Sequence, residues 1–329
     1  MVPSLFRLLA MLFRSARGLR GVQYSVIALF GSLLGAGCAH QQPTVTARSQ
    51  TAERLSAEAR QAKVRGDSQS AEHLLTEAVD RNPGDCETRL ELSEMLLAHG
   101  NSEAAIVHLQ KLVDQNPDDP RSYVGLAEAM YMRRNLTDAD RLVAQALELD
   151  PRQTRGLLLR GKIEQARGND DRALRDFHEL LGCEPDHVEA TMLVARLYLR
   201  HGDGRAAAPL LREIVDSPEQ DARLRASAQW LLGRCYAQDG RWSDAALALA
   251  AGISSRRGTT NDWLELADAC SRGGDSRQAH AAVEQALRRA PTDTRARALL
   301  AKLDNDRQAT DLHSRSVVSP TDFTDEEHD

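Results

Sequence analysis

Cys38 stands in "LLGAGCAH" (residues 33–40), where an apolar run gives way to small residues. A thiol there is either one more small side chain of a membrane helix or a point of covalent attachment. The other residue types that do chemistry are scattered. The ten histidines form no HExxH pattern, so no helix offers two imidazoles to a metal on one face. Five cysteines include no CxxC, which argues against a zinc site or a dense disulfide framework. Gly161-Lys162 has the last residues of a phosphate-binding loop without the glycines that must precede them. "HGDGR" (201–205) and "RGGD" (272–275) are glycine-rich but read as turns. A net charge of −6 over 329 residues gives no electrostatic reason to bind nucleic acid. No catalytic residue, metal ligand, cofactor or small-molecule substrate is expected.

Residues 1–37 hold Arg7, Arg14, Arg17 and Arg20 and no acidic residue. "VQYSVIALFGSLL" (22–34) is apolar but shorter than the roughly 20 residues of a membrane span. A basic segment, a short apolar core and small residues make a secretory signal. "LFRLLAMLF" upstream is also apolar, and Met11 offers a second start. The stretch from Leu34 to Cys38 resembles the lipobox of bacterial lipoproteins. In that family the cysteine sulfur takes a diacylglycerol, cleavage follows just before the cysteine, and the cysteine becomes the new N-terminus. The family prefers leucine three residues before the cysteine; here that place is Gly35, with Leu34 one earlier. The resemblance implies lipid attachment at Cys38 and removal of 1–37. An uncleaved signal anchor and cleavage elsewhere are the other readings of the segment. In all three, positive charge stays inside and the rest of the chain is exported. Acyl chains would hold it there, at about 0.8 kcal/mol per buried CH₂. Ala39 rather than Asp after the cysteine implies, by the same resemblance, the periplasmic side of the outer membrane.

Beyond a polar stretch, "AHQQPTVTARSQT" (39–51), which reads as part of a tether over 38–51, the chain repeats itself. An alanine recurs at Ala71, Ala105, Ala139, Ala173, Ala207, Ala245 and Ala279, every 34 residues except for an interval of 38 before Ala245. Five residues before each lies Gly66, Gly100, Arg134, Gly168, Gly202, Gly240 or Gly274. Twelve residues after lies Pro83, Pro117, Pro151, Pro185 or Pro291, with Pro218 one place early in the fifth unit and none in the sixth. Seven units follow: 52–85, 86–119, 120–153, 154–187, 188–221, 226–259 and 260–293.

The period and pattern resemble the tetratricopeptide repeat, most plainly in "WLLGRCYAQDGRWSDAALALA" (230–250), with Leu232, Gly233, Tyr236 and Ala245 at places 7, 8, 11 and 20 of their unit. The resemblance implies an all-α fold, a right-handed α-solenoid of helix–turn–helix pairs. The physics agrees. Places 4, 7, 8 and 11 share one helical face. Small residues at 8 and 20 let helices A and B approach. Glycine at 15 stops helix A, and proline at 32 stops helix B. Few aromatics (4%) and abundant Ala, Leu and Arg suit helices. "TRARALLAKLDNDR" (294–307) reads as a capping helix, and 308–329 as a disordered acidic tail in which Phe323 sits among Asp and Glu. Four extra residues in "DSPEQDARLR" (216–225) lengthen either the connection or the next helix A. Pro209, at place 22, is expected to kink its helix unless that helix begins late.

In such arrays places 2, 5, 9, 12 and 13 of helix A tend to face a concave groove. Place 5 holds Leu90, Val124, Leu158, Met192, Trp230 and Leu264. Place 12 holds Leu97, Tyr131 and Leu199, and place 9 is charged throughout, with Arg196 and Arg234 in units five and six. The expected groove residues are Leu90, Val124, Tyr131, Leu158, Met192, Arg196, Leu199, Trp230 and Arg234. Apolar rungs beside charges suit an extended peptide or an amphipathic helix. Place 9 has no Asn, which disfavours the carboxylate-clamp type of recognition. Cys235 and Cys270, on neighbouring A helices, read as small buried residues or as a disulfide in an oxidising compartment. The function expected is a non-catalytic scaffold binding a protein of the cell envelope. A subunit of an enzyme complex and a self-associating structural protein are the alternatives.

Overall fold

A computed structural model describes residues 45–254 and 258–317. Among the described residues there are fifteen helices and no strand. The signal segment, Cys38, residues 38–44 of the expected tether and residues 318–329 of the expected tail lie outside them.

The helices come in pairs, A then B. They are α1 (Val45–Val64) with α2 (Ser68–Arg81), α3 (Cys86–Ala98) with α4 (Ser102–Gln115), and α5 (Pro120–Met132) with α6 (Leu136–Leu149). Next come α7 (Thr154–Ala166) with α8 (Asp170–Cys183), α9 (Val188–Arg200) with α10 (Gly204–Asp216), and α11 (Ala222–Gln238) with α12 (Trp242–Ser254). Last are α13 (Thr260–Arg272) with α14 (Ser276–Arg289), and the terminal α15 (Thr294–Val317).

One two-residue device joins most pairs. Helix A closes on a residue with positive φ: Gly66, Gly100, Gly168, Gly202, Gly240 and Gly274 lie between 72° and 84°, and Arg134 at 62°. At the α3 terminus the Gly100 amide donates to the Leu97 carbonyl (2.9 Å) and the Asn101 amide to the Leu96 carbonyl (2.8 Å). This is a Schellman closure, which satisfies carbonyls that the helix leaves open. The next residue then caps helix B: the side chains of Asp67, Asn101, Asn135, Asp203 and Asp275 accept a backbone amide three residues on. "HGDGR" and "RGGD" are this device. Helix B ends two residues before its proline at Pro83, Pro117, Pro151, Pro185 and Pro291.

The chain divides into two compact parts, one up to Thr88 and one from Arg89. In the first, α1 and α2 pack on each other and bury Ala59, Ala62, Ala71, Leu75 and Ala78. In the second, from α4 onward, each helix packs on the next, α5 also packs on α7, and α9 on α11. That stacking in sequence order is the arrangement of an α-solenoid. All seven place-20 alanines are fully buried. Opposite them, place 8 is equally tight: a Cβ on Gly161 would meet the Phe177 ring, and one on Gly233 the Leu249 Cγ at 2.7 Å. Gly161-Lys162 is therefore a helix-packing position, with no role as a phosphate loop.

Four local expectations are refined. Residues 45–51, read as tether, are the first turns of α1. Their Val-Thr-Ala-Arg-Ser-Gln run contains no glycine or proline to stop a helix. Residues 308–317, read as tail, continue α15, which is 24 residues long. The four extra residues before unit six lengthen helix A: α11 has 17 residues and is capped by Asp221, whose carboxylate accepts the Leu224 amide at 2.7 Å. Helix α10 runs from Gly204 to Asp216 through Pro209. Pro209 is exposed, so the Arg205 carbonyl that loses its amide partner faces water.

Candidate interaction surface

The A helices carry an ion-pair rule that only the folded chain reveals. Place 9 of one helix A meets place 2 of the next. Glu128 on α5 pairs with Arg155 on α7 at 3.1 Å, and Lys162 on α7 with Glu189 on α9 at 2.7 Å. Arg155 also bonds Glu94 on α3, so one guanidinium ties three consecutive A helices. Burial works against its charge, but the Glu94 and Glu128 carboxylates outweigh that and raise its pKa above the ordinary arginine value.

The rule breaks in units five and six. Arg196 at place 9 of α9 is exposed and, among the described residues, has no acidic partner. The residue at place 2 of the next unit is Ser227, whose hydroxyl donates back to the Arg223 carbonyl at 3.0 Å. Asn261, at place 2 of unit seven, accepts from Arg295 at 2.7 Å, and Arg234 at place 9 of α11 pairs instead with Glu265 of α13 at 3.7 Å. Arg234 also lies over the Trp230 ring, 4.9 Å from its centroid.

The apolar groove residues divide. Tyr131, Leu158, Trp230 and Leu264 are half-buried, and Arg234 is also half-buried. Leu90 (6% exposed), Val124 (2%), Met192 (5%) and Leu199 (5%) belong to the core and offer no open rung. Their helices lie close enough for the next A helix to cover them, as Val124 is covered near Gly156 of α7. Met192 and Leu199 sit in the cluster of α9, α10 and α11 against which Trp230 packs.

Arginine stacking on aromatic rings was not legible in the spacing. Besides Arg234 on Trp230, Arg212 and Arg241 lie 5.7 and 4.4 Å from the Tyr236 ring centroid. Arg272 covers Trp242 at 4.7 Å and Arg289 covers Trp263 at 5.3 Å. The one available signal was that all three tryptophans fall between 230 and 263.

Cys235 and Cys270 are free and buried. Burial, then the Asp239 charge, pushes the Cys235 thiol up to about 12; burial and Asp275 push Cys270 up to about 11. Both are packing residues with suppressed nucleophilicity. The arrangement nearest to acid–base chemistry is a cleft of about 500 Å³ by Gly168, Asn169, Asp170 and His201. There Asp170 is taken up by Arg200 at 2.7 Å and His201 at 3.3 Å, and no hydroxyl or thiol lines the cleft. Among the described residues no cluster of His, Cys, Asp and Glu is arranged to hold a metal, and no helix is long and apolar enough to cross a membrane.

Family models described as tetratricopeptide repeat match residues 65–123, 96–163, 158–222, 192–258 and 260–303. The chain belongs to the tetratricopeptide repeat family. No curated protein matches it. Among solved structures, PilF of Pseudomonas aeruginosa is similar at 16% identity and a TM-score of 0.58, over 66% of this chain and 97% of that one. PilW, described as a widely conserved type IV pilus biogenesis factor, matches at 16% identity and 0.55, over 66% and 99%. YrrB, described as having an unusual peptide-binding site, matches at 19% and 0.51, over 57% and 95%. At these identities the likeness carries the tetratricopeptide fold.

Proposed function

We propose that the chain is a non-catalytic tetratricopeptide scaffold that holds a peptide or helix of an envelope protein complex on its A-helix face. It is anchored on the exported side through lipid at Cys38. The observation that carries the binding reading is the row of half-buried Tyr131, Leu158 and Trp230 set among the charges of place 9. Flat apolar area beside charge is what peptide recognition uses, and aromatic residues supply most of its energy. The anchor is supported by the four arginines, the short apolar run and the small residues before Cys38. Envelope work is in keeping with the biogenesis role described for PilW.

Two substitutions test the two halves separately. Cys38→Ser should release the protein from the membrane fraction and abolish lipid labelling; unchanged labelling and fractionation refute the anchor. Trp230→Ala with Tyr131→Ala should weaken capture of the cross-linked cellular partner by at least ten-fold while helicity stays intact. Undiminished capture would place the site elsewhere.

A further inference from the structure

The first helix carries charge of opposite sign to the chain that follows it. Over residues 38–66, Arg48, Arg54, Arg60, Lys63 and Arg65 stand against Glu53 and Glu58, whereas residues 67–329 hold an excess of acid. Within α1, Arg54 is taken up by Glu58 at 2.8 Å. At the far end of the helix Lys63 and Arg65 are exposed and, among the described residues, have no ion pair. Asp67 lies near Arg65, but its carboxylate accepts the Ser70 amide at 3.1 Å; Ser70 lowers its pKa most, and Arg65 adds to that. Between the two cations stands Val64, 88% exposed, the most exposed large hydrophobic side chain among the described residues. A lone exposed valine is ordinary on a protein surface. One set between two unpaired cations has the composition of a membrane contact, in which an apolar side chain enters the interface and cations meet phosphates.

The length of chain before α1 lets that turn reach a surface holding Cys38. From Cys38 to Val45 the chain advances seven residues, at most about 25 Å when extended. Helix α1 has 20 residues and rises about 30 Å. The helix can lie flat on the surface or slope back toward it, and either pose brings Val64 to the headgroups. We infer that the α1–α2 turn is a second membrane contact: Lys63 and Arg65 bind phosphates of anionic phospholipid, and Val64 enters the boundary between headgroups and acyl chains. The contact rests on the lipid anchor at Cys38 proposed above and adds a reversible attachment to it. An anionic surface repels the acidic remainder of the chain, so α1 is the part that settles there.

The test uses residues 38–329 with Cys38→Ser, a chain that keeps every described helix and carries no acyl group. Its co-sedimentation is followed at low salt with vesicles of phosphatidylglycerol and phosphatidylcholine in equal parts, and with phosphatidylcholine alone. Binding to the anionic vesicles should be saturable and at least about ten-fold tighter than to the neutral ones. Lys63→Gln with Arg65→Gln should weaken it at least about ten-fold and Val64→Ser about five-fold. Lys111→Glu, on α4, should leave it unchanged. Circular dichroism checks that each variant is folded. Equal binding to the two vesicles, or undiminished binding by the double variant or by Val64→Ser, overturns the inference. Displacement by inorganic phosphate at matched ionic strength would make the turn a site for the free ion. Loss of the cross-linked cellular partner in the double variant, with vesicle binding intact, would make it a protein contact. Either result also overturns the inference. The anchor is read separately, by lipid labelling at Cys38. The vesicle assay contains no acylated protein, so its failure leaves the anchor standing, and absent labelling leaves the vesicle result standing.

Discussion

Gly161 has no side chain where one would collide: a Cβ there would lie 2.8 Å from the Phe177 Cδ1. Phe177 on α8 is fully buried where that helix packs on α7. Helix propensity alone would favour alanine by about 1 kcal/mol. Packing opposes it, because a filled core yields only by moving a ring or a backbone. Gly161→Ala should therefore destabilise the protein by about 1–3 kcal/mol, read from urea unfolding. Phe177→Leu in the same chain should recover part of that loss. A gain in stability from Gly161→Ala alone would show that helix propensity, and not packing, governs the site.

At the scale of one element, a histidine on α14 ties down α15. His280 on α14 faces the Ser276 carbonyl through Nδ1 at 2.8 Å and Asp304 on α15 through Nε2 at 3.0 Å. Both partners accept, so both ring nitrogens must donate, and the matched form is the imidazolium. The Ser276 carbonyl raises the pKa above the ordinary 6.5 and Asp304 adds to it, against partial burial and the charge of Arg307. A raised folded-state value means the contact stabilises fully below the ordinary pKa and is lost as pH rises through the raised one. Thermal unfolding of wild type against His280→Gln between pH 5.5 and 8.5 should show the wild-type advantage shrinking as pH rises. An advantage independent of pH would mean that the ring acts through packing alone.

Across the whole molecule, packing contacts beyond α4 run between helices close in sequence, each with the next and some with the next but one. Damage should then stay local, as in any array whose stability is a sum of neighbour terms. Leu211 on α10 is fully buried in the cluster shared by α9, α10 and α11. Leu211→Ala should cost about 2–5 kcal/mol there. Hydrogen exchange should rise in α9, α10 and α11 and change far less in α5 and α15. An equal rise in every helix would mean that the array opens as one block.

The amino-acid sequence by itself determined the repeat: which residues turn, which stop a helix, and which must be small. Those are local requirements. A left-handed residue at Gly100 or a close approach at Gly161 is demanded within one unit, so it recurs with the period and can be read there. Even Arg134, at φ 62°, keeps the turn conformation because its place in the period demands it. Tertiary structure decided the rest. Whether a place-5 side chain is core or surface depends on how closely the next A helix lies, which buries Val124 and Met192 and leaves Trp230 half open. Whether a charge is neutralised depends on a residue one repeat away. Lys162 and Arg196 hold the same place in the sequence lattice, yet of the two only Lys162 meets a carboxylate: place 2 of the following unit is Glu189 after Lys162 and Ser227 after Arg196.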